Sequence, residues 1–245
     1  MNQTLATISL VNLSFAFIPV VVVIFVMFKW SLDVKRTLHA LLRMLVQLLL
    51  IGYFLSYLFE SDSASVVLVM LLVMVFFSSW IALSNIKASR RTLFKSAMIA
   101  TIVSGGFTLF IVTQAVLQLS PWYQAQTVIP LAGMIFANCM NSISLSGERF
   151  YAEMSRGEDY IAARKIAFQA SIIPNVNALF AVGIVSLPGM MTGQILSGIS
   201  PFIAARYQIM VMCMVFASAG IASALFLMLI KKAHKIEQQP VINDK

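Results

Sequence analysis

Charge is what this sequence has least of. Only 11% of its 245 residues are charged, against 60% that are hydrophobic, whereas a soluble domain is typically about a quarter charged and about half apolar. So little polar surface cannot cover a water-soluble globule of this length. Cysteine is almost as scarce. Cys139 and Cys213 fall in separate apolar stretches, without the spacing of a disulfide framework or a zinc cluster, and are expected to be small core residues. Several chemistries lack their residues altogether. There is no G-x-x-x-x-G-K-[ST] phosphate loop, so any ATP must be consumed elsewhere. His39 and His234 are far apart and form no H-E-x-x-H pattern, which leaves a zinc protease unsupported. The apolar stretches hold almost no carboxylate or histidine of the kind a proton-relay pump or charge-coupled antiporter needs. They hold no Ser/His or paired-Asp constellation for an intramembrane enzyme. The last two stretches contain no lysine for a retinal Schiff base, although helix count alone does not exclude a seven-helix receptor.

What fills the chain instead is long apolar runs. A helix of about 20 apolar residues crosses the roughly 30 Å of bilayer hydrocarbon, and such runs recur at about 5–28, 38–59, 64–84, 96–117, 127–147, 174–199 and 205–230. The predicted fold is an all-α integral membrane protein of about seven transmembrane helices, a single domain over 1–235 with a polar tail at 236–245. The first run has no basic n-region and is too long for the core of a secretory signal, so it is predicted to remain as a helix.

Lysine and arginine set the orientation. Sixteen of the seventeen fall in the first, third and fifth connections and the tail; the opposite connections carry Glu60 and Asp62, then no charge, then Arg206. The excess of basic residues on cytoplasmic loops then places the N-terminus outside and the C-terminus inside. The net charge of +8 reads as topology and calls for no nucleic acid.

Candidate functional residues are the polar or conformationally unusual ones within the runs. Arg43 can snorkel to the cytoplasmic face, while Gln47, one turn deeper, shares its face. Met134, Asn138 and Asn141 form one helical stripe, suited either to bonding a neighbouring helix or to lining a path. The run Ser186, Leu187, Pro188, Gly189, Met190, Met191 predicts a kink or a broken helix, which at membrane depth points to a cavity; Gly189 and Gly193 could instead form a packing seam. Fifteen methionines are plastic packing residues or, as thioethers, ligands for a soft metal. The connection 148–173 balances four acidic residues against four basic ones and carries helix formers from Glu158 to Gln169. It is predicted to be a cytoplasmic loop presenting a short helix to another protein, since a helix lying on lipid headgroups would be more basic.

Val128-Ile129-Pro130 with Ala132-Gly133-Met134-Ile135 and Asn138, then Val185-Ser186-Leu187-Pro188-Gly189-Met190-Met191 with Gly193, then Arg206-Tyr207-Gln208-Ile209-Met210, resemble the FetB-type permeases of ABC transporters, a family that includes plant aluminium-tolerance permeases. Arg43, Gln47, Leu48, Gly52 and Tyr53 follow the family's order in the second run. Between Gly147 and Ile172 the chain departs from the pattern, with Ser155-Arg156-Gly157-Glu158 where a Leu-Gly-Ala turn is common. The resemblance implies a permease subunit that homodimerises in a cell membrane, the inner membrane if bacterial. It would pair with two copies of an ABC ATP-binding subunit that holds the ATP and magnesium, this chain binding no cofactor. The family is linked to iron export and metal tolerance, and its plant members to nucleotide sugars. The substrate-pathway candidates are Gln47, Met134, Asn138, Asn141, Ser186, Pro188, Gly189, Met190, Met191 and Gln208. The ATPase-coupling candidates, taken from the mixed charge and helix formers of the 148–173 connection, are Glu158, Asp159, Tyr160, Ile161, Arg164 and Phe168. A secondary transporter remains the alternative if no ATPase partner exists.

Overall fold

The computed structural model describes residues 8–60, 63–86 and 90–237, which are helical throughout apart from connecting turns and contain no sheet. They form two compact units, Met1–Glu60 and Ser61–Lys245. The first holds α1 (Leu10–Ser14), α2 (Phe17–Lys29) and α3 (Val34–Glu60). The Ser9 hydroxyl accepts from the Asn12 N–H and starts α1; Asp33 Oδ1 accepts from the Arg36 N–H and starts α3, each satisfying a donor that the first turn leaves free. The β-branched and aromatic sequence of α2 favours helix only weakly in water. In hydrocarbon every backbone bond must be closed within the segment, and that requirement overrides propensity.

The second unit contains α4 (Ala64–Ala82), α5 (Arg90–Phe110) prolonged by a π-helical turn at Ile111–Val116, α6 (Ala125–Ser155), α7 (Tyr160–Ala181), α8 (Gly189–Leu196) and α9 (Pro201–Glu237). Its centre is the meeting of α5, α6 and α9, built from residues small enough to let backbones approach. Ser104, Ser146, Ser218, Ala219, Ala222 and Ser223 are fully buried there. The Ser104 hydroxyl on α5 donates to the Ser218 carbonyl on α9 at 2.7 Å, and the Ser142 hydroxyl on α6 donates to the Ala219 carbonyl at 2.7 Å. Lipid tails are as apolar as leucine, so close packing and such bonds must hold these helices together. Gly105 permits a close approach: a β-carbon there would lie 2.6 Å from the Phe136 ring.

Five helical stretches among the described residues are long and apolar enough to cross a bilayer: Leu10–Lys29, Ala64–Asn85, Arg90–Val116, Ala125–Ser155 and Pro201–Lys231. They answer to the first, third, fourth, fifth and seventh predicted runs; the second run lies within α3. The sixth requires correction. Residues 174–199 are not one helix, because Pro174 falls inside α7, which ends at Ala181, and a second short helix begins only at Gly189.

The connection 148–173 is corrected as well. Helix α6 continues to Ser155 and α7 starts at Tyr160, leaving a four-residue turn at 156–159 where a projecting loop was expected. At about 1.5 Å per residue, the 31 residues of α6 reach about 46 Å, longer than the hydrocarbon core. Within the segment 158–168, residues 158 and 159 belong to this turn and 160–168 are the first part of α7, not a short helix of its own. Cys139 is buried as expected, but Cys213 is exposed.

Candidate functional site

The interruption after α7 shapes the site. The Ala181 carbonyl accepts from the N–H groups of Val185 at 2.8 Å and Ser186 at 3.1 Å, and the Gly183 N–H donates to the Ser186 carbonyl at 2.9 Å. This tight turn needs φ of +83° at residue 183, a conformation that glycine adopts without steric cost. Pro188 then stands in an extended conformation as the residue capping α8; of the kink or broken helix that the sequence predicted, the structure has the broken helix. Eight residues rise about 12 Å, too little to cross a bilayer. Instead α8 packs back on α9.

Between α8, the start of α6 and the start of α9 lies a cleft of about 910 Å³. Met190 and Gln194, one turn apart on α8, face Met134 and Pro130 of α6 and Tyr207 and Met210 of α9 across it. Gln124, Gln126 and Thr127 contribute to its wall. Gln194 Oε1 is buried with no hydrogen-bond partner among the described residues. Asp, Glu, Lys, Arg and His are absent from the lining among the described residues, so these offer thioethers, amides, a hydroxyl and a phenol without fixed charge. Its volume is that of a small-ligand pocket.

The predicted pathway residues divide. Met134 and Met190 meet in this cleft, while Met191 and Gln208 line a separate one of about 370 Å³. Among the described residues Asn138 neither lines the cleft nor bonds another helix: its amide donates to the Met134 carbonyl of its own helix at 2.8 Å. Asn141 and Ser186 are exposed, and Gly189 has open space around its α-carbon, as does Gly193, so these two glycines form no close seam. Gln47 is exposed on α3 in the first unit. Sequence reasoning missed Gln124, Gln126, Thr127 and Gln194. The four-residue spacing of Met190 and Gln194 was the available signal for Gln194.

At the other end of α6 and α9 the coupling candidates come together. Asp159 caps α7, accepting from the Ala162 N–H at 2.8 Å. The Tyr160 hydroxyl donates to the Leu227 carbonyl, its ring lies edge-on to Phe150, and Arg164 and Lys231 sit over it. Phe168 is half-buried, beside Leu227 and Met228 in a small cleft that Arg164 also lines. Glu158, Asp159, Ile161 and Arg164 of this set are exposed. One turn away, buried Glu153 receives Arg149 and Arg156 on the same Oε1, at 2.8 and 2.9 Å, which fastens the end of α6 next to the turn.

Helices that bury small residues against one another while turning apolar side chains outward define a multi-pass membrane protein. The chain belongs to the uncharacterised protein family UPF0014, which matches residues 10–164 and 160–234. It is 35% identical over 192 residues to the UPF0014 membrane protein slr1647 of Synechocystis, covering 71% of this chain and 73% of that one. It is 34% identical over 230 residues, 87% of each chain, to the probable iron export permease protein FetB of Escherichia coli. Against the protein ALUMINUM SENSITIVE 3 of Arabidopsis thaliana it is 25% identical over 224 residues, 83% of this chain and 80% of the other. No solved structure matches the chain.

Proposed function

We propose that this chain is the permease subunit of an ABC-type exporter of metal ions, iron being the substrate named for the Escherichia coli relative, and that a separate ATP-binding subunit energises it. The observation that carries this reading is the uncharged cleft beside the broken helix. Irregular backbone at membrane depth is tolerated where it lines a cavity, and short helices of this kind form binding sites in other transporters. Amide and phenol oxygens with thioethers can replace part of a cation's hydration without trapping it behind a fixed negative charge. The absence of a phosphate loop in the sequence leaves ATP hydrolysis to a partner. The exposed side of α7 around Ile161 and Arg164, on the same end as the basic residues, is the surface offered to that partner. Seven crossings, N-terminus outside and C-terminus inside, complete the reading, with two permease and two ATPase copies per assembly.

Proteoliposomes holding the chain with an ABC ATPase encoded beside it test this directly. ATP-dependent movement of iron out of the cytoplasmic-side compartment is expected, together with raised cellular iron when the gene is deleted. Transport that persists without any ATPase and follows an imposed ion gradient would overturn the reading in favour of a secondary transporter.

A further inference from the structure

The far side of α9 carries a second cleft, of about 370 Å³, bounded by the end of α7 and by α8. Positions 203, 207 and 210 face the first cleft; 205, 208, 209, 212 and 213 face this one, the opposite arc of a helix with 3.6 residues per turn. Three sulphur atoms line it: the thioethers of Met191 and Met212 and the thiol of Cys213. Gln208 lines it too. That residue is 5% exposed, and its Oε1 receives no hydrogen bond among the described residues. Cys213 forms no disulfide.

We propose that this cleft is a binding site for a soft monovalent metal ion of the Cu(I) and Ag(I) class, held by Met191, Met212 and Cys213 with Gln208 Oε1 facing the ion. Softness selects the metal, because thioethers bind Cu(I) and its relatives well and hard cations poorly. Charge selects the valence. No carboxylate among the described residues lines the cleft, and Cys213 can supply one negative charge by giving its proton to water when the metal binds. A monovalent ion with one thiolate is neutral and can remain in an apolar setting. A divalent ion would leave a net positive charge there, which is strongly unfavourable. Gln208 supplies the second, independent indication. A buried amide oxygen without a donor costs stability, and a leucine of similar size would pack without that cost. A small rotation of the side chain toward a cation in the cleft would give that oxygen its partner. The site is separate from the first cleft and does not depend on the transport reading.

The full chain, purified in detergent without added thiols or chloride, is titrated with silver nitrate; metal retained after passage over a competing chelator is counted by mass spectrometry. Silver is used alone because it needs no reductant. One retained ion per chain is expected, unchanged in C139A and in M134L. C213A should lose it, and M191L and M212L, near-isosteric and compatible with folding, should each weaken it by about tenfold or more. Zinc or ferrous ion should not displace it. Wild-type retention in both M191L and M212L would overturn the proposal, since a thiol alone would then account for the silver. No retained silver in the folded wild-type chain would overturn it equally.

Discussion

The phenol hydroxyl of Tyr160, the first residue of α7, donates a 2.8 Å hydrogen bond to the backbone carbonyl of Leu227 on α9. This bond, the Phe150 edge contact and the cations of Arg164 and Lys231 above the ring fix the beginning of α7 against both of its neighbours. Tyr160→Phe keeps the ring and removes the bond, and should lower stability by about 0.5–1.5 kcal/mol. Tyr160→Ala also removes the packing and should cost about 3–5 kcal/mol. Thermal unfolding in detergent reads both; equal effects of the two variants would show that the ring contributes nothing.

Adjacent glycines on α5 should behave oppositely. At Gly105 a β-carbon meets the Phe136 ring, whereas at Gly106 nothing lies within 4 Å. Phe136 is buried and cannot swing aside, so Gly105→Ala should destabilise by about 1–3 kcal/mol. Gly106→Ala should be neutral or stabilising by up to about 1 kcal/mol, through helix propensity. Phe136→Leu added to Gly105→Ala should recover part of the loss.

If the first cleft is the path, Gln194→Leu should reduce transport severalfold at unchanged protein level, because it removes an unpartnered amide from the wall. Asn138→Leu should be close to wild type, since its amide serves only its own helix. The reverse pattern, Asn138 sensitive and Gln194 indifferent, would move the path to the other face of α6.

For the contact with an ATPase, Ile161 is the better probe than Phe168. Ile161 is 64% exposed, so Ile161→Asp should leave the fold intact while reducing co-purification of the ATPase or uncoupling its activity from transport. Phe168→Asp would place a charge beside Leu227 and Met228 and should destabilise the chain itself. Normal transport and co-purification in Ile161→Asp would direct the search to the connection between α4 and α5.

Topology is tested with a single cysteine in a background lacking Cys139 and Cys213. A cysteine at Ser61, which lies outside the described residues, should react with an impermeant maleimide in intact cells, and one in the tail at Asp244 only after lysis. Protection at residue 61 would reverse the assignment.

The membrane was legible in the sequence because transfer of apolar residues depends on composition and run length alone, and neither needs a fold to be read. Pro188 and the glycines beside it likewise announced an interruption, since the constraint of a proline ring is local. Other features arose only in three dimensions. Whether residues 148–173 formed a loop or continued two helices turned on Asp159 as a cap, a hydrogen bond visible only once the chain is folded. The bonding between helices passed to Ser104 and Ser142, whose hydroxyls reach a neighbouring backbone that small residues bring close, while Asn138, longer and more polar, turned back on its own helix. The clefts came last of all. Met134, Met190 and Met210, like Met191, Met212 and Cys213, are ordinary apolar residues in one dimension, and only the folding of α8 onto α9 sorts them onto two sides of one helix.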